Sequence, residues 1–120
     1  AAGVSILAGT DAGFLNSFNY PGIGLHDELK IFVDGGLTPL QALQASVING
    51  PRFLGKSERY GAITPGKAAD LLILEDNPLT DISATRQIHG VVLKGRYFDR
   101  AALDQMLENA RQQVAKREGV

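Results

Sequence analysis

The hydrophobic pattern changes period several times along the chain. Residues 4–9, Val4-Ser5-Ile6-Leu7-Ala8-Gly9, form a mostly apolar run between glycines, the texture of a strand covered on both faces in a parallel sheet. The run stops at Thr10-Asp11-Ala12-Gly13. From Leu25 the spacing turns helical: Leu25, Leu29, Phe32 and Val33 share one stripe, His26, Asp27, Glu28 and Lys30 occupy the rest, and Gly35-Gly36 ends the pattern. Thr38-Pro39-Leu40-Gln41 then fits a capping box with proline at the first helical position. The second helix runs through Leu40, Leu43, Val47 and Ile48 to Asn49-Gly50-Pro51, where glycine can cap and proline cannot continue, with a short turn over residues 52–54.

Around Gly55 the texture shifts to turns and β-runs, which sets a boundary near residues 55–60. Thr64-Pro65-Gly66-Lys67 has the proline and glycine placement of a type II turn. Strands are expected at residues 70–74 and 88–93, the second joined to Tyr97-Phe98 as a hairpin through Lys94-Gly95-Arg96. Leu103, Met106, Leu107, Ala110 and Val114 recur at helical spacing over residues 101–116, so that helix should dock by one stripe. These few strands leave sheet edges and apolar faces uncovered, so further strands must come from elsewhere.

Composition narrows the function classes. The chain has 120 residues, enough for one small domain, and 12 basic residues stand against 13 acidic ones. That balance argues against an electrostatic nucleic-acid or membrane partner. The absence of cysteine removes disulfides and thiolate chemistry, and no apolar run approaches the roughly 20 residues that cross a bilayer. A soluble, cytoplasmic setting is the default expectation. The chain opens Ala1-Ala2-Gly3 directly into a buried-type strand, which suggests a piece of something longer.

Asp11 is the first chemical candidate, because ligands in α/β folds bind at the carboxyl ends of such strands. Gly-Thr-Asp-Ala-Gly reads equally as a strand-to-loop turn in which Asp11 bonds nearby backbone. The loop over residues 12–24 mixes Phe14, Leu15, Phe18, Tyr20 and Pro21 with glycines, a composition for lining a pocket or for packing back on the scaffold. His26, at a helix start after that loop, is a candidate substrate contact, although such a histidine is more often a surface or supporting group. His89 reads as structural, and Asp27, Glu28 and Glu75 as solvated or dipole-favouring charges.

Three blocks in order resemble the C-terminal part of a metal-dependent amidohydrolase: Leu7-Ala8-Gly9-Thr10-Asp11-Ala12-Gly13; His26-Asp27-Glu28-Leu29 through Gly36-Leu37-Thr38-Pro39-Leu40-Gln41-Ala42-Leu43 to Asn49-Gly50-Pro51-Arg52-Phe53-Leu54-Gly55; and Gly61-Ala62-Ile63-Thr64-Pro65-Gly66-Lys67-Ala68-Ala69-Asp70-Leu71-Leu72-Ile73-Leu74. Within the family the likeness favours the branch of imidazolonepropionase-like proteins and Xaa-Pro or arginine-type dipeptidases. The resemblance implies an α/β fold, the C-terminal βα portion of a metal-dependent (β/α)8 barrel plus part of a small composite β-sandwich and a C-terminal helix. Residues 1–59 would be the last barrel strand, active-site loop and closing helices, residues 60–98 part of the sandwich, and residues 99–120 the amphipathic helix. It implies Asp11 as metal ligand and proton shuttle; beside it, Thr10 is a candidate substrate contact with a simple tight turn as the alternative, and His26 is the other candidate substrate contact.

The implied cofactor is a divalent metal, zinc as one or two ions in the intact enzyme and absent from this chain alone. The family's paired histidines of the first strand, its bridging lysine or glutamate and its mid-barrel histidines have no counterpart here. The expectation is therefore a fragment, inactive by itself, of a hydrolase of amide-type C–N bonds in small molecules or dipeptides, with the missing N-terminal barrel or a second copy of the chain as partner. The alternatives are a non-catalytic interaction module that pairs with a barrel or with itself, and a deaminase of a ring substrate in the same superfamily.

Overall fold

The computed structural model describes residues 3–13 and 20–118. Helix α1 spans Ile23–Asp34. It starts two residues before its apolar stripe because the chain turns just ahead of it: the Gly24 N–H donates to the Tyr20 carbonyl at 3.0 Å, and Gly22 takes a φ of 84° that favours glycine. At the other end the Gly35 N–H donates to the Ile31 carbonyl at 2.9 Å. Helix α2, Pro39–Val47, opens on the expected capping box, with the Gln41 N–H donating to the Thr38 hydroxyl at 3.2 Å and the Thr38 N–H to the Gln41 side chain at 2.8 Å. The sequence suggested that Gly50 and Pro51 would end this helix. Instead α2 stops at Val47 and Asn49–Phe53 forms a short helix α3 containing both residues. Pro51 falls in the first turn of α3, where its missing N–H removes no helical bond.

Leu29 of α1, Ala42 of α2 and Ile82 make the buried centre, with Phe32, Val33 and Leu43 packed around them. Ile82 opens a 3-10 turn, Ile82–Arg86, whose start is capped by Asp81: its carboxylate accepts the Ser83 N–H at 2.9 Å. The side chains of Ala42 and Ala45 are small enough for neighbouring backbone to approach α2, and both are buried.

Three antiparallel strands follow, β1 (Leu71–Leu74), β2 (Ile88–Leu93) and β3 (Arg96–Phe98), in the order β1-β2-β3. Leu71 pairs with Val92, Ile73 with Gly90 and Leu74 with Ile88, so the register slips at His89; its Nδ1 lies 2.7 Å from Glu75. The β2–β3 turn is Lys94-Gly95, with φ of 51° and 79°, the pair of positive values that a type I′ hairpin turn requires. The residues before β1 hold it, the Lys94 N–H donating to Asp70 at 2.7 Å and the Gly95 N–H to the Ala69 carbonyl at 3.0 Å.

Helix α4, Arg100–Glu118, begins where Asp99 accepts the Ala102 N–H at 2.8 Å and packs on β2 and β3. The stripe expected to dock does so only at its start, since Met106, Leu107 and Val114 are about half exposed. Geometry explains the difference: 19 residues of helix run about 28 Å, whereas the longest strand has six residues, about 20 Å. The apolar run at residues 4–7, read as a buried strand, likewise pairs with no strand among the described residues, and Val4 is 78% exposed. A parallel strand is buried by strands on both sides as well as by helices, and here only helices reach it.

Candidate active site

Residues 4–10 lie along the helices and end at Asp11. Three hydrogen bonds fix their course. Asn49 Nδ2 donates to the Ile6 carbonyl at 2.8 Å, the Ala8 N–H to the Ala45 carbonyl at 3.1 Å, and the Gly9 N–H to Glu28 Oε1 at 2.9 Å. Two residues beyond the last of these, Asp11 sits in the left-handed region with a φ of 50° and an exposed side chain. Asp tolerates this backbone better than most residues, at a cost of order 1 kcal/mol. Gly13 follows at a φ of 102°, so the chain leaves Asp11 sharply. Phe14, Leu15 and Phe18 of the proposed binding loop lie outside the described residues. Tyr20 rejoins the structure beside α1.

Gly9, Thr10, Tyr20, Asp27, Glu28 and Ile31 line an open hollow of about 390 Å³. Helical spacing accounts for it: Gly24, Asp27, Glu28 and Ile31 form a stripe three to four residues apart, distinct from the Leu29 stripe that enters the core. Glu28 was read from the sequence as a solvated or dipole-favouring charge. It is half-buried instead, and while Oε1 accepts from Gly9, Oε2 is buried without a hydrogen-bond partner among the described residues. No periodicity within α1 signals a contact 19 residues upstream.

His26 points elsewhere. Its Nδ1 lies 3.0 Å from Thr85 Oγ1 in the 3-10 turn, and Thr85 is itself buried and donates its hydroxyl to the Ile82 carbonyl at 2.9 Å. Burial pushes the His26 pKa below its usual 6.5, the Arg86 guanidinium lowers it further, and Asp27 opposes both. Asp27 in turn pairs with Arg86. Of the three sequence candidates, then, Thr10 lines the hollow, Asp11 follows it in the chain, and His26 joins α1 to the 3-10 turn.

The donor set bears on a metal. Asp11 offers one carboxylate, but among the described residues no group of three or more His, Cys, Asp or Glu side chains converges. A catalytic zinc takes about three protein ligands. The described residues therefore do not make a metal site by themselves. Nor, among them, is any helix long and apolar enough to cross a membrane.

Comparison with known proteins defines the class. The amidohydrolase family model matches residues 1–97, and the chain belongs to that family. Ochratoxinase from Aspergillus niger is 38% identical over 88 residues, 72% of this chain and 17% of that protein. An adenine deaminase from Moorella thermoacetica is 43% identical over 52 residues, 43% of this chain and 9% of the relative. Among solved structures, a candidate prolidase from Bifidobacterium longum superposes with a TM-score of 0.72 at 32% identity, covering 91% of this chain and 28% of the other. Phenylurea hydrolase B superposes with a TM-score of 0.62 at 36% identity, covering 68% and 18% respectively. The chain thus spans under a fifth of the ochratoxinase length and under a third of the candidate prolidase.

Proposed function

We propose that this chain is the C-terminal portion of a metal-dependent hydrolase of amide-type C–N bonds in small molecules or dipeptides, with Asp11 as a metal ligand and proton shuttle in the intact enzyme. The observation that carries the reading is the placement of Asp11: an exposed carboxylate on a left-handed residue, at the end of a segment pinned by Asn49, Ala45 and Glu28. Backbone held in a sparsely populated region by surrounding bonds is typical of functional sites. Membership of the amidohydrolase family and likeness to hydrolases support the reaction class.

The surface supports incompleteness. The chain exposes 9070 Å², against about 6,300 Å² for a compact monomer of this mass. The excess lies on faces such as Val4, Ile63 and the α4 stripe, and we propose that the remaining barrel and sandwich of the intact enzyme cover them. The divalent metal, zinc in our reading, would supply a bound water acidified to a pKa of about 7. In the intact enzyme Asp11 would help hold that metal, and its carboxylate is the group on this chain that would accept a proton during attack on the substrate carbon and return it to the departing nitrogen. Thr10, on the hollow, is proposed to face substrate. The bonded ring of His26 is proposed to steady α1 against the 3-10 turn. The 120-residue chain alone is proposed to be inactive.

A second reading has its own support in the adenine deaminase relatives: attack on a ring carbon with loss of ammonia, for which Asp11 is proposed in the same role. A panel of dipeptides, N-acyl amino acids and aminated heterocycles, offered to the zinc-loaded whole enzyme and to the same enzyme after chelation, tests both. Zinc-dependent cleavage of the acyclic amides is expected. Zinc-dependent ammonia release from the heterocycles alone establishes the second reading, and turnover that survives chelation contradicts both.

A further inference from the structure

We infer that Glu28 is a positioning residue for Asp11: its carboxylate sets where the chain ends its run along the helices and hence where the Asp11 carboxylate stands. The inference rests on the reading of Asp11 given above. Of the three bonds on residues 6–9, the one from Gly9 to Glu28 is the last before Asp11, and the only one of them made by a charged side chain. A carboxylate acceptor binds a backbone N–H about twice as strongly as a neutral one does. The side chain comes from the middle of a 12-residue helix whose neighbouring stripe is anchored in the core by Leu29, so the acceptor is rigidly mounted.

Gly9 leaves room for that approach, since a Cβ there would meet nothing within 4 Å. The Gly9–Glu28 bond thus joins the Ile6–Asn49 and Ala8–Ala45 bonds in setting the course of the segment, and is the one of the three nearest to Asp11. The residue is half-buried and lines the hollow with Thr10 and Tyr20; its Oε2 is shielded without a hydrogen-bond partner among the described residues, a desolvation cost that leaves the Gly9 N–H as the bond offsetting it. A surface carboxylate in the same helix, Asp34, is instead held by Lys30 at 2.8 Å and has no such reach.

The experiment uses the full-length enzyme and its best amide substrate, with Glu28→Ala and Glu28→Gln variants. Glutamine keeps an oxygen that accepts from Gly9; alanine removes it. Amide hydrogen exchange over residues 8–11 is expected to speed up in Glu28→Ala and to stay near wild type in Glu28→Gln. Turnover should fall roughly 10- to 100-fold in Glu28→Ala, carried by kcat rather than KM, and recover most of that loss in Glu28→Gln. Unchanged exchange in Glu28→Ala, intact kcat despite faster exchange, or equal loss in both variants each overturns the inference. Asp11→Asn run alongside separates the two claims. Lost turnover there with intact turnover in Glu28→Ala overturns only the role of Glu28, whereas normal turnover in Asp11→Asn overturns the reading of the site and this inference with it.

Discussion

The imidazole of His26 meets the hydroxyl of Thr85 at 3.0 Å, and because Thr85 gives its own proton to the Ile82 carbonyl, His26 Nδ1 must be the donor. The bond ties α1 to the 3-10 turn across 59 residues of sequence. Burial first, and Arg86 second, depress the His26 pKa, so the folded state favours the neutral ring. The unfolded chain takes up a proton near the usual 6.5, and the folded chain does so only at lower pH. The contribution of His26 to stability is therefore complete above about pH 6.5 and is lost as the pH falls below it. Thermal unfolding of the full-length protein should show the gap between wild type and His26→Gln narrowing from pH 8 to pH 5. A gap that widens on acidification contradicts the assignment.

Thr38 and Gln41 cap α2 reciprocally. Thr38→Ala leaves the Gln41 N–H without its acceptor and should cost about 1 kcal/mol, read as a lower denaturation midpoint with an unchanged slope. Thr38→Ser keeps the hydroxyl and should lie close to wild type.

Asp70 accepts the Lys94 N–H in the β2–β3 turn at 2.7 Å. Asp70→Ala should destabilise by about 1–2 kcal/mol and raise amide exchange at Lys94 and Gly95, while Asp70→Asn, which keeps an acceptor oxygen, should change little. Equal behaviour of the two variants would show that the turn holds itself through its positive φ values alone.

Local signals in the sequence translated well. The Thr38–Gln41 box, the Gly35 stop, the Pro65-Gly66 turn, where Gly66 has a φ of 91°, and the hairpin at Lys94-Gly95 each depend on a few neighbouring residues, and each formed as expected. What the sequence did not reveal depends on distant partners. Pro51 reads as a breaker until the chain restarts a helix at Asn49, and the α4 stripe reads as a docking face until the sheet proves too short for it. The site divides in the same way. Asp11 is conspicuous beside its glycines, whereas Glu28 looks like any outward charge of α1, because its partner Gly9 lies in another segment that no helical period encodes.

The stripe of Met106, Leu107 and Val114 offers a test of the proposed covering surface. Placing Lys at Leu107 and Val114 together should leave helix α4 intact in the isolated chain yet weaken the intact enzyme, lowering its midpoint of thermal unfolding. Two exposed substitutions elsewhere on α4 usually change stability by no more than about 0.5 kcal/mol each, so a larger loss marks a buried face. An unchanged midpoint would place this stripe in solvent in the whole protein as well.

Turnover by Asp11→Asn in the full-length, zinc-loaded enzyme tests the central claim most directly. Asparagine keeps the size of the side chain and removes the group that would accept a proton. The fold, followed by circular dichroism and thermal midpoint, should be preserved, and kcat for the amide substrate should fall by roughly 10²- to 10⁴-fold. Near-normal kcat in a folded Asp11→Asn enzyme would contradict the assignment of Asp11 and the hydrolytic mechanism built on it.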